Sequence, residues 1–325
     1  MATIYPSSDE NISFLSKKIL GGELVAVPTE TVYGLAADAF NAEACARIFE
    51  SKERPFFDPL IVHLPVDYDW TRICYPPPLL TVLAEAFWPG ALTVVVRKKP
   101  SIPDIVTAGF DSVAIRVPNH PVFQQLLSRC KRPLAAPSAN PFGYVSPTTA
   151  GHVQETLGEK ISYILDGGPS QIGLESAIID LRDPDRIFLL RPGAIPKSDI
   201  EAVLGKNVQT LERKPERTET MPGQLERHYS PKTPAFLREK IESEEPLQHP
   251  STAFLFYQKP SPSIEHLENV FWLSEKGDSV EAARRLFSRL HEIDRVGFKK
   301  LIAEKAPDSG LGIAINDRLR RAAAR

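Results

Sequence analysis

The sequence predicts an α/β protein of two domains, the larger one built on a mixed sheet. Three observations predict it. Short apolar runs bounded by proline or glycine outnumber the helical stretches. Several of these runs follow one another with no helix between them, which a simple doubly wound sheet does not allow. A polar stretch from about 206 to 235 then divides the 325 residues into a larger and a smaller part, in keeping with roughly 100–200 residues per domain.

The elements follow in order. LVAVP (24–28) is an apolar run closed by proline, the pattern of a buried strand. AEACARIFESK (42–52) sets Ala42, Cys45, Ile48 and Phe49 at helical spacing. PLIVHL (59–64) reads as a strand, and PLLTVLAEAF (78–87) as a helix that stops at Trp88-Pro89-Gly90. ALTVVV (91–96) and SVAIRV (112–117) are strands. PVFQQLLSRC (121–130) is a helix that begins with proline, a favoured first-turn residue. PLAAP (133–137), SYILDG (162–167), SAIIDL (176–181) and RIFLL (186–190) are further strands, with a helix over TTAGHVQETLG (148–158). These elements make residues 1–205 one domain. The linker, 206–235, has scattered charges and few large apolar residues. In 236–325, STAFLFY (251–257) and NVFWL (269–273) are strands. Asp278-Ser279 caps a long amphipathic helix over 280–305, with Gly297 as a point where it can break, and NDRLRRAAAR (316–325) forms a short basic helix.

Composition narrows the function. The formal net charge of −2 argues against a protein whose main work is gripping nucleic acid, which carries a basic excess. Cys45, Cys74 and Cys130 match no zinc or disulfide spacing, so reduced, packed thiols are expected. The segment MATIYPSSDENISF has no basic region followed by an apolar one, and no apolar run approaches ~18 residues. A cytoplasmic protein is the expectation.

Four segments hold candidate chemistry. PTETVYGLAADAF (28–40) follows the first strand as a strand-to-helix loop, and its Thr29, Glu30, Thr31 and Tyr33 either point into a pocket at a strand end or merely cap the next helix. In SKERPFFDPLIVH (51–63), Lys52 and Arg54 leave a helix together and suit a triphosphate, one as a point charge and the other as a bidentate fork. Taken alone, this run is equally a solvated helix C-terminus, and His63 a core histidine. PLAAPSANPFGYVSPTTAGHV (133–153) ends a strand in small residues that expose backbone N–H groups and the hydroxyls of Ser138 and Ser146, the composition of an anion-binding concavity. It lacks the lysine and spacing of a Walker loop. In GLESAIIDL (173–181) and LLRPGAI (189–195), Ser176 opens a strand and Arg191 closes the next, where a strand-end arginine, outside the core, either faces the same pocket and neutralises a leaving phosphate or is a surface arginine of a hairpin-like pair. No Ser-His-Asp set, HExxH, CxxC or GxGxxG is present.

Taken in order, PTETVYGL, KERP with DPLIVH, FWPGALTVV, VAIRVP, PSAN, GLESAIID and LRPGAI resemble the signature blocks of the YrdC-like L-threonylcarbamoyladenylate synthase family over residues 10–205. ERHYSPKTP and GLGIAINDRLRRAA resemble the long form of that family, with its small Rossmann-like second domain. The resemblance implies a twisted mixed sheet with helices around a concave, positively charged groove. It implies a nucleotidyl transfer in which L-threonine, bicarbonate and ATP, with Mg²⁺, give threonylcarbamoyl-AMP and pyrophosphate for a separate tRNA threonylcarbamoyl transferase complex. The L-threonine site would use Thr31, His63, Arg116, Ala136 and Ser176. The nucleotide site would use Lys52, Arg54, Asp58, Ser112, Ser138, Asn140, Ser146, Arg191 and Tyr229, with Lys52 and Arg54 as the catalytic cations. The position of Asp58 usually holds asparagine in the family, so a carboxylate there is a departure. The labile carbamate calls for a cover, and the linker is expected to fold back as a lid that brings Tyr229 to the nucleotide. The competing reading is a tRNA- or duplex-RNA-binding module. Related carbamoyl-adenylate proteins of hydrogenase maturation carry zinc fingers, which this chain lacks.

Overall fold

The computed structural model describes residues 1–210 and 228–324, which form two compact units. The first unit takes Met1–Phe142, Pro147–Ser170 and residues 175–210; the second takes Gly143–Ser146, Gln171–Leu174 and residues 228–324.

In the first unit the order is β1 (Thr3–Pro6), α1 (Asp9–Leu20), β2 (Val25–Val27), β3 (Gly34–Asp38), α2 (Ala42–Lys52), β4 (Ile61–His63), β5 (Cys74–Tyr75), α3 (Pro78–Phe87), β6 (Leu92–Lys98), β7 (Ser112–Arg116), α4 (Pro121–Cys130), β8 (Leu134–Ala135), α5 (Ala150–Leu157), β9 (Tyr163–Asp166), β10 (Ala177–Asp180), β11 (Phe188–Arg191), α6 (Lys197–Leu204) and β12 (Gln209–Thr210). The twelve strands make one mixed sheet in the order β1-β9-β2-β3-β8-β4-β7-β6-β10-β11-β12, with β5 beside β6.

Side-chain alternation sorts this sheet into two faces. One face packs Ala26, Leu35, Ala135, Val62, Ile115, Val94 and Ile179 against residues of α2, α3, α5 and α6. The opposite face is divided. Toward β2, β3, β8 and β9, the helices α1 and α4 cover Val25, Ala36, Leu134 and Leu165 through Leu15, Ile19, Phe123 and Leu127. Toward β7, β6, β10 and β11, a separate cluster of Val95, Ala114, Ile178 and Leu190 contains no helix residue. That stretch of sheet face, buried but without a helix in its cluster, is the floor on which the candidate site stands. All three cysteines are buried and unpaired.

The second unit contains β13 (Ala235–Arg238), α7 (Glu245–Gln248), β14 (Thr252–Gln258), β15 (Val270–Ser274), α8 (Ser279–Val296), β16 (Lys300–Glu304) and α9 (Leu311–Ala322). Its four strands are all parallel, in the order β13-β16-β14-β15, the small Rossmann-like sheet expected. Asp278 caps α8 by accepting from the Glu281 N–H at 2.7 Å.

Three local expectations change. The segment after Pro28 is not simply a loop into a helix: Gly34–Asp38 pairs antiparallel with β2, because its small side chains let a strand lie buried on both faces. The helix expected over 280–305 ends at Val296, where Gly297 takes a left-handed φ of 79°. Residues 300–304 then form β16, with Leu301, Ile302 and Ala303 buried, and the last helix starts at Leu311 rather than 316. The central part of the linker, 211–227, lies outside the described residues, so the lid expectation falls there. Among the described residues, no helix is long and apolar enough to cross a membrane.

Candidate functional site

Strand register assembles the site. His63 lies opposite Arg116 across β4 and β7, and Leu134 opposite His63 across β8 and β4. Ala136, just past β8, donates its N–H to the Ile61 carbonyl at 2.9 Å. Alternation therefore sets Ile61, His63, Ala114, Arg116 and Ala136 on one face of the sheet, where His63 and Ala136 pack toward α4 and Ile61 and Ala114 belong to the cluster without helix residues.

Arg116 organises the first group. Its Nη1 donates to Thr31 Oγ1 at 2.9 Å, its Nε donates to the Gly90 carbonyl at 3.0 Å, and its Nη2 lies 2.6 Å from Glu30 Oε1. Nε and Nη1 are thus hydrogen-bonded, while Nη2, ion-paired with Glu30, has no hydrogen-bond partner among the described residues and can still donate to a carboxylate. Thr31 is also held by Thr29, whose Oγ1 lies 2.8 Å away and accepts the Thr31 and Val32 N–H groups. Burial and the facing Arg116 push the His63 imidazole down to about 3, so it is neutral at pH 7.

A second group stands at the ends of β10 and β11. Ser176 Oγ lies 2.7 Å from Thr93 Oγ1 on β6 and accepts from Arg191 Nη2 at 3.1 Å. Arg191 also donates to the Ser176 carbonyl through Nε and Nη2. The turn after Arg191 requires glycine for space: a Cβ at Gly193 would lie 2.2 Å from the Ala177 nitrogen.

The third group lies between α2, the loop to β4 and the turn after β8. Lys52 is buried and donates through Nζ to the carbonyls of Ser138, at 2.6 Å, and Asn140. Burial and the neighbouring Arg54 push its ammonium well below the usual lysine range, against an upward pull from Asp58. Arg54 donates to the Asp58 and Pro59 carbonyls, and its Nη2 lies 2.9 Å from Asp58 Oδ2. Burial pushes the Asp58 carboxyl up, against the downward pull of Arg54, Lys52 and Arg191. That three-way pull ties this group to the one at β11. Ser112, at the start of β7, is buried as well.

The expectation that strand-end arginines stand outside the core is overturned. Arg54, Arg116 and Arg191 are 8%, 3% and 5% exposed. Their guanidinium groups donate to backbone carbonyls, Arg54 to those of Asp58 and Pro59, Arg116 to that of Gly90 and Arg191 to that of Ser176, so they shape the site as well as line it. The structure thus brings Thr31, Arg116, His63 and Ala136 together, joins Ser176 to Arg191, and joins Lys52 to Ser138 and Asn140. Ser146 and Tyr229 belong to the second unit. There His291 Nε2 lies 3.2 Å from the Ser146 carbonyl. Tyr229, at φ 61°, stacks on Phe287 with the Arg318 guanidinium 5.1 Å from its ring centre. Sequence reasoning left two residues out of the site set: Glu30, whose signal was a carboxylate between two threonines, and Thr93, for which a hydroxyl inside an apolar strand gave no signal.

Among the described residues no group of three or more His, Cys, Asp or Glu side chains is arranged to hold a metal. Lys52, Arg54, Arg116 and Arg191 are buried around this face, with Glu30 and Asp58 as the carboxylates paired to them. Such a set is built to receive an anion.

The chain was compared with known proteins. A family model described as Telomere recombination matches residues 17–193, and one described as the C-terminal domain of threonylcarbamoyl-AMP synthase matches residues 195–324. The threonylcarbamoyl-AMP synthase of Pyrococcus abyssi is 40% identical over 314 residues, spanning 93% of this chain and 90% of that protein. The one from Bacillus subtilis is 37% identical over 98% of this chain and 94% of its own. The crystal structure of P. abyssi Sua5 complexed with L-threonine superposes with a TM-score of 0.90 at 35% identity, covering 99% of this chain and 98% of that one. The two matched family models and these near-full-length likenesses agree: the chain belongs to the threonylcarbamoyl-AMP synthase family, in its long, two-domain form.

Proposed function

We propose that this protein is a cytoplasmic L-threonylcarbamoyladenylate synthase that joins L-threonine, bicarbonate and ATP into threonylcarbamoyl-AMP with release of pyrophosphate. The observation that carries the reading is the gathering of Lys52, Arg54, Arg116 and Arg191, all buried, around one sheet face, with Asp58 paired to Arg54 and Glu30 to Arg116. Four buried cations call for a ligand with several negative charges. Two anionic substrates meeting here, a triphosphate and an amino-acid carbamate, satisfy that demand.

The roles divide by group. Arg116, whose Nη2 makes no hydrogen bond among the described residues, takes the threonine carboxylate, while Thr31, neutral His63, Ala136 and Ser176 surround the rest of the amino acid. Lys52, Arg54, Asp58, Ser112, Ser138, Asn140, Arg191, Ser146 and Tyr229 form the nucleotide set. Bicarbonate loses water as its carbon is taken up by the threonine amine, which gives up one proton in becoming the carbamate; a carbamate oxygen then attacks the α-phosphorus, the bond from that phosphorus to the bridging oxygen breaks, and pyrophosphate departs. No covalent bond to the enzyme is needed. The protein supplies position and cationic stabilisation of the charge that builds on the phosphate oxygens. Magnesium would be held mainly by the ATP phosphates and would neutralise part of their charge; Asp58, whose Oδ1 has no hydrogen-bond partner among the described residues, is the carboxylate of this set that could accept from its waters. The product passes to a tRNA threonylcarbamoyl transferase complex, and tRNA contact by this chain is transient at most.

Incubation of the protein with ATP, L-threonine and bicarbonate, followed by mass detection, tests this. The expected products are threonylcarbamoyl-AMP and pyrophosphate in equal amounts. No adenylate, with tight and steeply salt-dependent tRNA binding instead, would replace the reading with an RNA-binding one.

A further inference from the structure

Asp294 is a carboxylate in the last turn of α8, where the helix dipole disfavours negative charge. Helix stability gives no reason for it. Its contacts do. Oδ2 accepts from the Tyr144 hydroxyl at 2.6 Å and from the Lys232 N–H at 2.9 Å. Oδ1 accepts from the Thr233 N–H at 2.7 Å and from the Thr233 hydroxyl at 2.9 Å. One half-buried side chain thus joins two segments nearly ninety residues apart in sequence, both within the second unit.

The two segments are also bonded to each other, since the Ser230 N–H donates to the Gly143 carbonyl at 2.8 Å. One turn back on the same face of α8, His291 lies against the far end of the first segment, with Nε2 3.2 Å from the Ser146 carbonyl and its ring 5.6 Å from that of Tyr144. Gly143–Ser146 is therefore held at Tyr144 by Asp294 and at Ser146 by His291. The chain at 230–233 is held by Asp294 and by Gly143. Burial alone would push the Asp294 carboxyl up, but its hydrogen bonds hold it below the ordinary aspartate range.

The segments so joined carry Ser146 and Tyr229, the members of the nucleotide set that belong to the second unit. We infer that Asp294 is a positioning residue for nucleotide use, setting Ser146 and the chain that carries Tyr229 in one fixed relation. It touches no substrate and acts through Tyr144, Lys232 and Thr233. The inference rests on the synthase reading and gives the second unit a definite part in it.

The test uses the full-length protein, with ATP binding measured by calorimetry beside steady-state adenylate synthesis. Asp294→Ala should weaken ATP binding and raise the KM for ATP about tenfold, the loss expected when charge-accepted hydrogen bonds disappear, and leave the KM for threonine within a factor of two. Tyr144→Phe, which removes one hydroxyl, should move ATP in the same direction by less. The double variant should be no worse than Asp294→Ala alone, since both act through one contact. Asp294→Asn should restore part of the loss, because its carbonyl oxygen can still accept from Thr233. If Asp294→Ala fails to fold, Tyr144→Phe decides alone. Unchanged ATP binding and KM in a folded Asp294→Ala or Tyr144→Phe variant would overturn the inference, as would equal losses for ATP and threonine. Failure of the unaltered protein to make adenylate would instead remove the synthase reading.

Discussion

Arg116→Met keeps much of the length and apolar bulk of the side chain and deletes its charge. Thr31 then loses the donor at 2.9 Å, and Glu30 loses its ion partner. Because Arg116 stands with the threonine group, its loss should raise the KM for threonine by far more than that for ATP. The expected cost is roughly 2–4 kcal/mol in kcat/KM for threonine. Equal effects on both substrates would remove the assignment. His63 gives a pH prediction. Its folded value is about 3 against an ordinary 6.5, so below pH 6.5 the unfolded chain binds a proton that the folded chain does not. The stability it contributes is complete above about 6.5 and is lost as pH falls toward 3. Thermal unfolding midpoints should decline over that window, and His63→Gln should flatten the decline; an unchanged slope would show that the imidazole is not what titrates. At this scale the sequence was informative about which residue types gather, but silent on burial. Lys52 and Arg54 look like a solvated helix end when read in line, but Ser138 and Asn140 return from far along the chain onto Lys52, and Arg54 turns onto Asp58 and Pro59.

The geometry of β10 and β11 depends on Gly193. The Ala194 N–H donates to the Glu175 carbonyl at 3.2 Å, which draws the turn after Arg191 against the start of β10. A Cβ at Gly193 would meet backbone at 2.2 Å (Ala177 N), 2.4 Å (Ser176 C) and 2.6 Å (Glu175 O), none of which can swing away as a flexible side chain would. Gly193→Ala should force the turn outward and move Ser176 against Arg191. A shift near 1 Å at such a contact can cost about a hundredfold in rate. Retention of normal synthesis by a folded Gly193→Ala would mean that this turn is not what aligns the pair. The elements themselves were unevenly legible. α2, α3 and α4 begin and end where apolar spacing and proline put them. β3 was hidden because GLAAD shows no alternation, each residue being buried. β16 was hidden because its five residues continue an amphipathic pattern across Gly297, whose left-handed turn is the true end of α8. Helical periodicity in sequence cannot register a change of direction at one glycine.

At the scale of the whole chain, the question is what the second unit contributes, and a cut after Thr210 answers it. That cut keeps all twelve strands of the large sheet, including β12, which pairs with Phe188 and Leu189 and covers the edge of β11. Both core clusters beneath α1 to α6 also lie wholly within residues 1–210. Residues 1–210 should therefore fold cooperatively. Yet the cut removes Asp294 from Tyr144, His291 from Ser146, and Arg284, whose Nε donates to the Gln171 carbonyl at 2.8 Å. Two short segments embedded in residues 1–210, Gly143–Ser146 and Gln171–Leu174, lose the partners that fix them, and the first carries Ser146. Tyr229 is lost outright. The fragment should bind threonine with near-normal affinity, since Thr31, His63, Arg116 and Ser176 are all supported within residues 1–210, while its synthesis falls sharply through weakened ATP use. The stretch 211–227 is addressed by a second arm: if it covers bound substrates, ATP with threonine should slow its cleavage by protease in the intact protein. Full activity from residues 1–210 together with ligand-independent cleavage of that stretch would end both the lid and the nucleotide role, and leave the second unit to be explained as a docking surface for the protein that receives the adenylate.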